Sequence, residues 1–154
     1  MTLRVENHFK LASKCIKPMM ALEDAIQESS LEHRLLELVK IRASQINGCA
    51  FCLHMHTTDA RAAGESEMRI YMLDAWRESS LYSERERAAL AWTETLTLIA
   101  NNATSDEEYT ALASVFTPEE QVYLTMAIGA INSWNRFQIG FAASHPVNAS
   151  DVPA

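Results

Sequence analysis

The sequence predicts an all-α protein, a bundle of about seven helices. Apolar residues recur at helical spacing along most of its 154 residues, and we find no credible strand pattern of alternating apolar and polar residues. Residues typical of helix starts and ends punctuate the chain at intervals that suit helices. There is no fixed-period repeat, so we expect a single domain over residues 1–154.

The first half of the chain contains four predicted helices, at about 18–29, 31–47, 49–63 and 66–76. Pro18 fits the first turn of the first helix, where the missing N–H of proline costs nothing. Asn47-Gly48 ends the second helix, because both residues tolerate a left-handed φ. Gly64 follows the third helix for the same reason, and Ser66 is a suitable N-cap for the short fourth helix.

Capping boxes predict the starts of the remaining helices. In this motif a Ser or Thr side chain accepts from a backbone N–H, and a Glu three residues later bonds back. The pairs are Ser83 with Glu86, Ser105 with Glu108, and Thr117 with Glu120. Pro118 strengthens the last start, and that helix should run to about Ala143. The tail at about 145–154 contains Pro and Asn, and we expect it to be irregular.

Composition narrows the function classes. A net charge of −7 and a pI of about 5.2 argue against nucleic acid or an anionic membrane surface as the partner. No apolar run approaches the ~20 residues of a membrane span, and the N-terminus lacks the apolar core of a signal peptide. Three cysteines are too few for a secreted disulfide framework. These observations predict a cytoplasmic protein.

The most informative motif is C-x-x-C-x-x-x-H, formed by Cys49, Cys52 and His56. At about 100° per residue these three side chains share one face of a helix. The cysteines lie in its first turn, where free N–H groups and the helix dipole favour a thiolate. We therefore expect Cys52, one turn from the imidazole, to have a lowered pKa and to react first with a peroxide.

Glu37 lies on the preceding helix. A tight turn at Asn47-Gly48 would lay the two helices side by side, so that the Glu37 carboxylate could reach His56 and set its tautomer. Two other interpretations of the cysteines remain open. They could form a structural disulfide or a pair of buried thiols, or they could bind zinc with His56 and a fourth ligand, either His54 or Glu37.

Other polar residues are given simpler interpretations. His54 points about 160° from His56 on the same helix, and we place it at the surface or an interface. His8, His33 and His145 lack partners at motif spacing, which predicts solvent-facing side chains. The polar segment 132–136 interrupts an apolar helix, and it forms either a polar stripe or a patch at an interface or pocket rim.

The segment from Glu37 to Gly64 closely resembles the core of the alkylhydroperoxidase D (AhpD)-like proteins of the carboxymuconolactone decarboxylase superfamily. The match is detailed over about 35–76 and looser to residue 95. It implies an all-α fold that assembles as a homotrimer or homohexamer. It also implies a peroxidase in which Cys52 is the peroxidatic thiol, Cys49 resolves it, and His56 with Glu37 relays protons.

This resemblance further implies the reaction partners. The substrate would be an organic hydroperoxide or hydrogen peroxide, and the reductant an external dithiol donor, with no metal and no organic cofactor. Phe51 stands between the cysteines, where the best-studied branch has a second histidine. Two rival functions remain: a lactone decarboxylase, whose chemistry needs no cysteine pair, and a non-enzymatic redox-sensing or zinc-binding module.

Overall fold

The structure, a computed structural model, describes residues 2–101 and 103–147. These residues form eight α-helices and a 3-10 helix, and they contain no strand. The α-helices are α1 (His8–Leu11), α2 (Ser13–Gln27), α3 (His33–Asn47), α4 (Ala50–Ala62), α5 (Glu67–Tyr71), α6 (Glu84–Thr97), α7 (Asp106–Ala113) and α8 (Pro118–Phe141), and the 3-10 helix is Met72–Ala75. The all-α prediction is confirmed.

The predicted helix ends agree well with the structure where they depend on local signals. Gly48 closes α3 with a φ of 68°, and Gly64 follows α4 with a φ of 87°. All three capping boxes form with both of their hydrogen bonds. Pro118 is the first residue of α8, as the sequence predicts.

The start of α2 was wrongly predicted. The helix begins at Ser13, so that Pro18 lies inside it rather than in its first turn. The turn before the proline buries Ile16, and this burial offsets the one hydrogen bond that a proline removes from a helix. The four-residue α1 was not predicted at all, and the predicted helix at 66–76 divides into α5 and the 3-10 helix.

Helix α3 is the centre of the fold. Every residue from Leu35 to Ile41 is buried, and the helix packs against α4, α6 and α8. A helix buried on all sides is expected to be apolar all round. Glu37 and Lys40 break this rule, since both are buried in α3. Buried charges are costly unless they are paired, so these two residues point to a functional site.

The C-terminal part of the chain is described only as far as residue 147. Residues 143–147 are not helical, and the rest of the predicted irregular tail, 148–154, lies outside the described residues. None of the helices within residues 2–101 and 103–147 is both long and apolar enough to cross a membrane.

Candidate active site

The two cysteines lie at the junction of α3 and α4. Cys49 is the N-cap of α4, and its Sγ accepts a hydrogen bond from the backbone N–H of Cys52 at 3.4 Å. The two residues form a disulfide with their Cα atoms 5.4 Å apart. Each is 1% exposed, packed with Ala43 and Ile131. Because both sulfurs are bonded to each other, this state leaves no thiolate for the zinc set considered above.

Glu37 and His56 face each other across the α3–α4 pair. Glu37 Oε2 lies 2.9 Å from His56 Nδ1, and both side chains are buried. An ionised carboxylate can only accept hydrogen bonds, so Nδ1 carries the hydrogen of this pair. Nε2 is then the nitrogen that can take up or release a proton.

Lys40 and Glu23 extend this pair, and sequence reasoning did not identify either as a site residue. Lys40 Nζ lies 2.9 Å from Glu23 Oε2 and 4.0 Å from Glu37 Oε1. Trp134 Nε1 donates to the other oxygen of Glu23 at 3.1 Å. A chain of charges thus runs from α2 through Lys40 to Glu37 and His56. The sequence did carry one sign of Lys40, since Glu37 and Lys40 lie three residues apart on one predicted helix and can therefore pair.

A cavity of about 330 Å³ opens beside the disulfide. Cys52 and His56 line it, whereas Cys49 and Glu37 do not. Helix α2 forms one wall with residues at helical spacing (Met20, Glu23, Asp24 and Gln27), and α1, α3, α4 and α8 supply the other lining residues (Phe9, Lys40, Phe51, Met55, Ile131, Trp134 and Gln138). The cavity therefore brings one sulfur and the imidazole together in largely apolar surroundings.

A polar network attaches the end of α3 to α8. Asn135 is fully buried, and its Nδ2 donates to Ser44 Oγ at 3.0 Å. Asn47 Nδ2 donates to Asn135 Oδ1 at 2.8 Å and to Asn132 Oδ1 at 3.0 Å. The polar segment 132–136 of α8 was expected to form a polar stripe or a patch at an interface or pocket rim. Its Trp134 does line the cavity. Asn135 is buried, and its hydrogen bonds hold the turn before Cys49 against α8.

The remaining histidines lie away from the cavity. His54 stacks on His145, with their ring centroids 5.2 Å apart, and neither residue lines the cavity. His33 is exposed, as expected. The predictions for His8 and His145 were wrong, since both are half-buried. The ring centroid of His8 lies 5.2 Å from that of Phe137 and 5.3 Å from that of Phe141.

Glu37 and His56 also belong to the group that could surround a cation. Together with the exposed Asp59 they present ligand atoms that all lie within 4.8 Å of one another. This set differs from the zinc ligands considered from the sequence, since it contains no cysteine. The Glu37–His56 hydrogen bond occupies Oε2 and Nδ1, so a cation there could use only Glu37 Oε1 and His56 Nε2 without displacing the shared hydrogen.

Comparison with known proteins identifies the family. The model of the carboxymuconolactone decarboxylase family matches residues 17–95. The uncharacterised protein YdfG of Bacillus subtilis (strain 168) is 45% identical over 133 residues, which are 86% of this chain and 90% of YdfG.

Solved structures agree with this result. A protein of unknown function from Agrobacterium tumefaciens, provisionally named as the antioxidant defence protein AhpD, is 46% identical with a TM-score of 0.91, and the match covers 96% of this chain and all of that one. An AhpD-core, peroxidase-related protein from Ralstonia eutropha JMP134 has a TM-score of 0.78 at 16% identity. The match covers 95% of this chain and 80% of that one, and at this identity it shows a shared fold only. This chain is thus an AhpD-like member of the carboxymuconolactone decarboxylase family.

Proposed function

We propose that this protein is a thiol-dependent peroxidase that reduces organic hydroperoxides or hydrogen peroxide at Cys52. The observation that carries the proposal is that Cys52 and His56 line one cavity, while Cys49 and Glu37 stand directly behind them. A nucleophile, a proton carrier, a resolving thiol and an orienting carboxylate are the four groups that such a reaction needs.

The first step consumes the peroxide. His56 Nε2 takes the thiol proton of Cys52, and the thiolate attacks the terminal oxygen of R–O–O–H. The S–O bond forms as the O–O bond breaks, and the alkoxide leaves as the alcohol with the proton that His56 returns. The peroxide is reduced by two electrons, and Cys52 is oxidised to the sulfenic acid.

The second step closes the disulfide. The sulfur of Cys49 attacks the sulfenic sulfur of Cys52, the S–S bond forms, and the hydroxyl group leaves as water with the proton of Cys49. An external dithiol then exchanges with the disulfide, restoring both thiols and becoming a disulfide itself. The sum is ROOH plus dithiol giving ROH, water and oxidised donor, with no cofactor required.

The proposal includes the setting of the reaction. We place the protein in the cytoplasm, where dithiol donors keep such a pair reduced. We also propose that it works as a homotrimer or homohexamer. Val122 and Met126, exposed on one stripe of α8 at 64% and 45%, support an additional packed surface. Light scattering at micromolar concentration should return a multiple of three chains, and a 17.3 kDa monomer would contradict it.

Thiol counting during a single turnover tests the chemistry. Cys15 is free and exposed, so the test uses a Cys15→Ser background that leaves only Cys49 and Cys52. One equivalent of cumene hydroperoxide should remove both thiols from the reduced protein and release one equivalent of cumyl alcohol. If both thiols persist, the proposal fails.

Turnover separates the rival functions. With dithiothreitol in excess, a peroxidase consumes many equivalents of hydroperoxide much faster than dithiothreitol alone does. A redox sensor, which dithiothreitol also re-reduces, reacts only slowly. A Cys52→Ser variant should consume none in either case. The lactone decarboxylase remains a family alternative, but a disulfide at the cavity contributes nothing to that chemistry, and a decarboxylase would keep its activity in the Cys52→Ser variant.

A further inference from the structure

The cavity beside Cys52 has an asymmetric charge distribution that bears on substrate choice. Its walls are mainly apolar, formed by Phe9, Met20, Phe51, Met55, Ile131 and Trp134. Its volume of about 330 Å³ is at the lower end for small-molecule sites. An apolar body of moderate size therefore fits the walls, and the charged groups of the lining decide which polar substituents such a body can carry.

Lys40 is the one lysine or arginine among the described residues that line the cavity, and its charge is already neutralised. Lys40 is 4% exposed, and its ammonium nitrogen lies 2.9 Å from Glu23 Oε2. A second carboxylate, that of Glu37, lies 4.0 Å from the same nitrogen. Since two carboxylates already attract this ammonium, it has little capacity left to bind a third one on a substrate.

Asp24 adds a negative charge that is not balanced. It is exposed, and among residues 2–101 and 103–147 it has no ion-pair partner within 4 Å. Asp24 and Glu23 against Lys40 give the lining a net charge of −1. The cavity also belongs to a chain of net charge −7, so the wider field has the same sign.

We propose that this site selects its hydroperoxides by charge, accepting neutral or cationic apolar hydroperoxides and rejecting those that carry a carboxylate. The proposal deepens the peroxidase function proposed above and rests on it. A carboxylate brought to this lining would meet like charges in surroundings less polar than water, which costs about a factor of ten in kcat/KM.

A pair of substrates with the same body tests the proposal. Cumene hydroperoxide is neutral, and its 4-carboxy derivative adds one negative charge on the ring. We expect kcat/KM for the carboxylated compound to be about tenfold lower at low salt. In Asp24→Asn protein the ratio between the two compounds should move toward one. High salt should narrow the ratio as well, because Asp24 is exposed.

Glu28 provides the matched control. It follows α2 directly, is exposed and does not line the cavity, so Glu28→Gln removes the same charge from the chain without changing the lining. The ratio between the two substrates should not change in this variant. If it moves as far as in Asp24→Asn, the net charge of the chain is responsible, and selection by the cavity is refuted.

A binding measurement separates this proposal from the peroxidase function. Calorimetry with the oxidised protein compares the two product alcohols, 2-phenyl-2-propanol and its 4-carboxy derivative, without any turnover. The neutral alcohol should bind about tenfold more tightly. Equal turnover of both hydroperoxides, or equal binding of both alcohols, refutes charge selection. If neither hydroperoxide is reduced, the peroxidase function fails, and the binding result alone decides charge selection.

Discussion

Lys40 of α3 joins two carboxylates that belong to different helices, with its Nζ 2.9 Å from Glu23 Oε2 on α2 and 4.0 Å from Glu37 Oε1 on its own helix. The ammonium therefore connects the outer wall of the cavity to the Glu37–His56 pair. It also supplies the positive charge that allows a carboxylate to stay buried in the central helix.

Replacing this lysine should destabilise the fold. In Lys40→Met the side chain keeps most of its length, but Glu37 and Glu23 lose their common cation. We expect the free energy of unfolding to fall by about 3 kcal/mol, as for the removal of one partner from a buried pair. Urea denaturation of the oxidised protein measures this loss, and all variants are compared at the same protein concentration. The double variant Lys40→Met/Glu23→Gln should recover part of the loss, and an unchanged stability in Lys40→Met would disprove the role.

Glu37 and His56 should act as one proton-transfer unit. Glu37→Gln or His56→Gln should each lower peroxide turnover by the ~10²–10⁴-fold typical of general acid–base groups. The double variant should lose scarcely more than the worse single one, since residues that act together are not additive. Multiplicative losses would show that the two act independently.

Asp59→Asn is the control for the Glu37–His56 pair. Asp59 is exposed and close to both residues, but it takes no part in the Glu37–His56 hydrogen bond. Turnover should therefore be close to that of the unaltered protein. A loss as large as that of His56→Gln would point instead to a metal held by all three side chains.

Cys52 should be the sulfur that meets the peroxide. In a Cys15→Ser/Cys49→Ser background the sulfenic acid of Cys52 has no thiol partner in its own chain and should accumulate. Mass spectrometry after trapping with dimedone should find one adduct, on Cys52. The Cys15→Ser/Cys52→Ser variant should give no adduct on Cys49, which does not line the cavity. The reverse result would exchange the two roles.

Stability at acid pH should depend on Glu120. Arg85 Nη2 donates to Glu120 Oε1 at 2.5 Å and the Thr117 N–H donates to Oε2 at 2.8 Å, and these bonds hold the pKa of Glu120 below its ordinary value. A carboxyl with a lowered folded pKa stabilises the protein above its unfolded pKa. That contribution is lost as the pH falls through the folded pKa.

Glu120→Gln should therefore cost about 0.5–1 kcal/mol at pH 7, and the difference from the unaltered protein should shrink below about pH 4. Thermal unfolding at pH 7 and at pH 3.5 measures both values. Glu119→Gln, in the same turn but exposed and outside the capping box, should cost less than Glu120→Gln at pH 7. A Glu120→Gln difference that persists at pH 3.5 would contradict the assignment.

Several features of this protein follow from local sequence. The end of α3 at Gly48, the start of α4 at Cys49 and the capping box at Thr117 depend on residues within one helical turn of each other. A turn as tight as Asn47-Gly48 leaves α3 and α4 few ways to lie against each other, and this made a contact of Glu37 with His56 possible. The packing of the two helices decided that the contact forms.

Pro18 shows where local reasoning fails even for an element boundary. A proline prefers the first turn of a helix, and this preference placed the start of α2 too late. The buried side chain of Ile16 extends the helix backward past the proline. Tertiary packing therefore outweighed a correct local preference. This happens wherever the free energy gained by burying an apolar side chain exceeds the free energy lost with one hydrogen bond.

The sequence by itself thus determined the all-α class, most of the helix ends and the C-x-x-C-x-x-x-H motif. Only the tertiary structure decided that Glu37 meets His56, which sulfur meets the cavity and which residues complete it. Glu23 and Trp134, hydrogen-bonded although 111 positions apart, show the reason. Helical spacing shows that residues share a face of a helix, but the packing of helices distant in sequence decides what that face contacts. In this protein the packing places Glu23 and Asp24 of α2 on the same cavity as Cys52.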